Sequence, residues 1–143
     1  MDSQHVKGLS DLVAAMNGLP DKVRVNGLRR AVSSGAVIVR NDARARAPVD
    51  TGEMRKDIQV KRERVPDAYV ATYSVHVRSG KRSRLSGRAR DVDKDSFYWK
   101  FVEFGTAKMA AQPFLRPAFE AKKQEAADKI ISTLRERLAE LNK

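Results

Sequence analysis

The chain has 143 residues, with 29 Lys and Arg against 18 Asp and Glu, and no cysteine. That length fits one domain spanning residues 1–143, able to bury on the order of 70% of the surface its unfolded chain exposes. Without cysteine there are no disulfides, thiolate zinc sites or cysteine nucleophile, and the net charge of +11 points to a polyanion, an acidic partner or solvated charge.

Residues 1–10 lack a signal-peptide pattern, and no apolar run approaches the roughly 18 residues of a membrane span. Val6, Leu9, Leu12, Val13 and Met16 recur at helical spacing, and Gly18-Leu19-Pro20 ends that first short helix. A second helix is predicted over 21–47. Leu28, Val32, Gly35 and Ile38 or Val39 form its inner stripe, with Arg29, Arg30, Arg40, Arg44 and Arg46 largely outside it. Pro48 stops it, since the residue before a proline is pushed out of the α region.

Two strands follow. Ile58 and Val60 alternate with polar neighbours, and 69–77 is rich in β-branched and aromatic residues. Val65-Pro66-Asp67-Ala68 carries turn chemistry, which predicts an antiparallel hairpin. Next comes the densest basic stretch, Arg78 to Arg90, with six basic residues and no acid. Its glycines and serines leave it little to bury, so 78–96 is expected to be a flexible loop within the domain. Residues 97–104 hold five aromatic residues and fit either a third strand or a short buried helix. Beyond Pro117, the residues Ala127, Ile131, Leu134, Leu138 and Leu141 step by four and three, predicting a C-terminal amphipathic helix. The expected fold is therefore α+β: N-terminal helices, a small mostly antiparallel sheet with a basic loop, and a C-terminal helix packed on the sheet.

Catalysis finds no support in these residues. His5 and His76 are the only histidines, and His76 reads as a strand-face residue rather than a general base. No nucleophile-elbow pattern surrounds a serine, and the carboxylates lack the spacing of a metal loop. The expectation is a protein without catalytic residues, metal site or cofactor.

Three segments are more constrained than composition requires. In 45–56, Pro48 closes a helix, Asp50 and Thr51 can bond nearby amides, and Gly52 permits a left-handed turn. In 98–106, aromatic residues lead through Glu103 to Gly105 and Thr106. In 112–119, Pro113 and Pro117 frame Phe114 and Arg116 and release the chain into the last helix. On physical grounds alone these are corners of a small α+β domain.

The succession Ala-Pro-Val-Asp-Thr-Gly-Glu-Met-Arg (47–55), Val-Glu-Phe-Gly-Thr (102–106) and Gln-Pro-Phe-Leu-Arg-Pro-Ala (112–118) resembles a phage family. These are the neck and tail-completion (head–tail joining) proteins of the gene-product-ten-like family of lambdoid-type siphophages. The resemblance covers about residues 8–140, with the Arg78–Arg90 stretch longer and more basic than in a typical member. It implies a non-catalytic virion protein, assembled in the host cytoplasm as a homo-oligomeric ring, hexamer or dodecamer, at the virion neck or tail. There it would complete the tail and join it to the DNA-filled head, beside head-closure, connector and tail proteins, with no membrane involved.

A tail-terminator ring is the alternative within that class; a free-standing non-specific DNA-binding protein is the alternative outside it. Arg78, Lys81, Arg82, Arg84, Arg88 and Arg90 are the expected contacts to lumenal phage DNA or to acidic partners. Glu103, Thr106 and Arg116 are expected to knit the aromatic turn to the last helix.

Overall fold

The computed structural model describes residues 8–49, 52–79, 96 and 98–142. Helix α1 (Leu9–Asn17) leads into the long α2 (Asp21–Arg46) and a short α3 (Glu53–Asp57). Strands β1 (Ile58–Arg62) and β2 (Tyr73–Val77) follow, then α4 (Trp99–Phe104) and the long α5 (Leu115–Leu141). The fold is α+β, as expected. Val6 lies outside the described residues.

The long helices α2 and α5 pack along each other. Their seam keeps Gly35 and Val39 of the predicted stripe and replaces its other members by small residues. The buried positions of α2 are Gly27, Ala31, Gly35, Val39 and Ala43, spaced by four, whereas Leu28, Val32 and Ile38 are only half-buried. Small residues at that spacing let two backbones approach, as ridges settle into grooves. A Cβ built at Gly35 would sit 2.7 Å from Cγ1 of Ile130 and 2.9 Å from the Ala126 carbonyl oxygen. Across the same seam the hydroxyls of Ser34 and Thr133 are 3.2 Å apart. The C-terminal helix is thus present as predicted. Its first turn, with Phe114 and Ala118, shares a core cluster with the strands, while most of its length runs on α2 rather than on the sheet.

The hairpin is antiparallel, pairing Ile58 with Val77, Val60 with Val75 and Arg62 with Tyr73. These pairs share one face of the sheet, where Ile58 and Val77 are buried together with Val39 and Ala43 of α2. The expected strand over 69–77 is shorter, because residues 67–70 form a turn. The Tyr69 amide donates to Oδ1 of Asp67 at 2.8 Å, and its phenol donates to Asp21 at 3.2 Å. The Arg24 guanidinium lies over the Tyr69 ring, 4.5 Å from its centre. Tyr69 therefore ties the connection to the start of α2 instead of continuing the ladder.

Arg44 also departs from expectation. Instead of standing outside the helix, its Nε and Nη2 donate to the Ile58 carbonyl at 3.0 and 2.8 Å. A charge-assisted pair of bonds satisfies an outward-facing carbonyl of β1.

Two apolar clusters result among the described residues. The main one joins Val39, Ala43, Ala47, Met54, Ile58, Val77, Phe114, Ala118 and Ala126. A smaller one holds Leu12, Ala31 and Leu134, and through it α1 covers the far end of the helix pair. Burying a side chain such as Ile58 or Phe114 stabilises by roughly 1.5–3 kcal/mol. Among the described residues, no helix is long and apolar enough to cross a membrane.

Candidate functional site

The three constrained segments meet in one corner of the molecule. At the end of α2, Ala47 is buried, Pro48 is half-buried and Val49 is exposed. Gly52, whose φ of 82° lies in the left-handed region, leads into α3. From there Met54 turns into the cluster that holds Ala47 and Phe114. Asp57, at the end of α3, is buried and accepts a hydrogen bond from the Ser96 hydroxyl at 2.7 Å. Its carbonyl accepts the Arg78 amide at 2.8 Å, which fixes where β2 ends. Asp50 and Thr51 lie outside the described residues.

The second and third segments are joined by one carboxylate. Residues 99–104 form a helix, and Gly105 ends it by donating its N–H to the Phe101 carbonyl at 2.9 Å. Glu103 points inward and is only 7% exposed. Its Oε2 accepts the amides of Phe114 and Leu115 at 2.7 and 3.1 Å, and its Oε1 accepts that of Arg116 at 3.0 Å. The first N–H groups of a helix have no partner within it. Here Glu103 takes three of them, Pro117 has none to offer, and the Ala118 amide reaches the Phe114 carbonyl at 3.3 Å. Every amide in the first turn of α5 is accounted for. A buried negative charge at a helix N-terminus is also favoured by the aligned peptide dipoles.

The turn between the segments is equally constrained. Gly105 has φ 74°, and a Cβ there would lie 2.8 Å from the Ala111 nitrogen and 3.0 Å from the Met109 carbonyl. Thr106 pairs with Met109 as an isolated bridge, its hydroxyl accepts the Lys108 amide at 3.3 Å, and Gln112 donates its amide to Val102 at 2.8 Å. The expected knitting is therefore made by the Glu103 side chain and the Arg116 backbone. Thr106 acts within its own turn, and the Arg116 side chain is exposed. Pro113 is exposed and Pro117 half-buried.

This arrangement leaves an aromatic face outside. Tyr98, Trp99 and Val102 pack against the core, while Phe101 is 50% and Phe104 75% exposed. Three residues apart on one short helix, they stand on the same side. The sequence offered no signal for this, because a five-aromatic run reads as core whichever rings end up inside.

Of the predicted basic contacts, Arg78 is exposed just past β2, and Lys81, Arg82, Arg84, Arg88 and Arg90 lie outside the described residues. His76 stands on β2 opposite Gln59, its Nδ1 buried without a hydrogen-bond partner among the described residues. No group of three metal-ligating side chains is found among those residues.

With this geometry in place, the chain matches the family described as "Bacteriophage HK97-gp10, putative tail-component" over residues 10–105. That range takes in two thirds of the chain. The chain belongs to the HK97-gp10-like family. The matched range contains the Pro48–Gly52 and Glu103–Gly105 segments, whereas the Pro113–Pro117 segment that Glu103 caps lies beyond it. No curated protein and no solved structure matches the chain.

Proposed function

We propose that this chain is a non-enzymatic structural subunit of the phage neck, a single domain over 1–143 that assembles into a ring. The ring completes the tail and joins it to the DNA-filled head. Membership of a tail-component family supports a place in the virion beside other phage structural proteins. The observation that carries the assembly reading is the aromatic face of α4. Phe101 and Phe104 are exposed on a helix that Glu103 locks to α5, so the face is rigid and apolar before any partner arrives. Contiguous exposed apolar surface of that kind marks interaction sites. A closed ring needs two different faces on each subunit, and α4 supplies one of them.

The net charge of +11 suits a subunit placed around DNA. In this reading Arg78, Lys81, Arg82, Arg84, Arg88 and Arg90 meet lumenal phosphates or an acidic neighbouring ring.

The test is complementation of a phage lacking this protein. With the double variant Phe101→Ser, Phe104→Ser, filled heads and finished tails accumulate unjoined in electron micrographs and titre falls sharply. Normal joining by that variant overturns the reading. Uncapped tails of uncontrolled length in its place would move the ring to the tail terminator. Replacing the five basic residues at 81–90 by Gln in the same assay tests their part; an unchanged titre removes it.

A further inference from the structure

An apolar groove of about 580 Å³ runs between β2 and the N-terminal half of α5. Ala36 and Val39 of α2 form its floor, Tyr73 and Val75 one wall, and Leu115 and Phe119 the other. No residue of β1 lines it, so it follows the edge of β2 that has no partner strand among the described residues rather than the paired one.

The register shows what that edge offers. The Glu63 amide bonds the Thr72 carbonyl and the Arg78 amide bonds the Asp57 carbonyl, so hydrogen-bonded pairs fall at 57/78, 59/76, 61/74 and 63/72. Tyr73, Val75 and Val77 are the alternate residues, and their N–H and C=O groups point away from β1. The Tyr73 and Val75 groups have no backbone partner among the described residues. Among the described residues nothing blunts this edge: Tyr-Ser-Val-His-Val contains no proline and no Lys, Arg, Asp or Glu, and the ladder has no bulge. Open backbone groups beside a trough for alternate side chains are the two parts of a strand-addition site.

The charged residues that line the groove are Arg116 and Lys123. The Arg116 guanidinium makes no ion pair among the described residues, and Lys123 pairs with Glu120 at 3.3 Å. We infer that the β2 edge and this groove hold an extended segment of another virion protein, alternately apolar and acidic, as a third strand of the sheet. Its apolar side chains enter the groove and its carboxylates meet Arg116 and Lys123. A second copy of this chain fits less well, because the whole molecule carries +11 and the groove is lined by two cations.

This site stands whether or not the ring occupies the neck, and it is tested without phage. The full chain is titrated with a short synthetic peptide of alternating glutamate and valine, and separately with its lysine–valine counterpart. Amide hydrogen exchange is followed by nuclear magnetic resonance. The glutamate peptide is expected to slow exchange at Tyr73 and Val75 and to bind at least about tenfold more tightly than the lysine peptide. The double variant Arg116→Glu, Lys123→Glu, at two exposed positions, is expected to reverse that order while leaving the far-ultraviolet circular dichroism unchanged. Absence of binding, equal affinity for both peptides, or protection at 9–16 instead overturns the proposal. Protection of Tyr73 and Val75 that rises with protein concentration alone overturns it in favour of a second copy.

Discussion

The corner around Glu103 and the sheet beside it differ in how completely they use their hydrogen-bonding groups. In the corner one buried carboxylate takes three amides, proline removes the fourth, and a left-handed glycine closes the turn. In the sheet two short strands satisfy each other, and among the described residues β2 leaves its outer backbone groups open along an apolar groove. A two-stranded hairpin is marginal by itself, so here the strands depend on α2 beneath them. The contrast teaches that this chain places its strength where α4 and α5 must keep a fixed angle. It leaves unfinished the surfaces that another chain can finish.

The largest test of that contrast is Glu103→Ala. It strands buried amides at the start of α5 and is expected to lower stability by about 3 kcal/mol, a fall of roughly 10 °C in melting temperature by calorimetry. Glu103→Gln keeps one acceptor oxygen and is expected to lose about half as much. Equal stability of Glu103→Ala and the parent would remove the corner from its position as the rigid half of the comparison.

Gly35→Ala probes the helix seam that supports both regions. Alanine gains up to about 1 kcal/mol in helix propensity. Its methyl group, however, would meet Ile130 and the Ala126 carbonyl well inside contact distance. Crowding of that kind costs typically about 1–3 kcal/mol, so a net loss of about 1 kcal/mol is expected in urea denaturation. A stabilised variant would mean that α2 and α5 can separate freely.

The smallest stability effect belongs to Phe104→Ser. An exposed ring contributes little to the fold of the isolated chain, and the melting temperature is expected to move by less than about 2 °C. Its effect belongs to assembly. A large loss of stability in the isolated chain would show that the aromatic face is part of the core after all.

Much of this was legible in the sequence for local reasons. Pro20 and Pro48 bracket α2, the β-branched run at 73–77 is a strand, and the three corner segments stand out by their proline, glycine and acid spacing. Less legible was anything decided by a neighbour. Tyr69 has strand propensity, yet its contacts with Asp21 and Arg24 hold it in a turn. The apolar pattern of α2 drew attention to Leu28 and Val32 beside Gly35, whereas close approach of another helix also buries Gly27 and Ala31. Arg44 reads as a solvated cation until the Ile58 carbonyl appears beside it.

By itself, the sequence determined the α+β class, the limits of α2, the hairpin, the surplus of positive charge and the family-bearing corners, because each depends on residues close together in the chain. Only the tertiary structure decided that Glu103 caps α5, that Phe101 and Phe104 face outward, and that the β2 edge opens on a groove. Those outcomes rest on which surfaces meet across long stretches of chain, and packing distance rather than local pattern chooses among them.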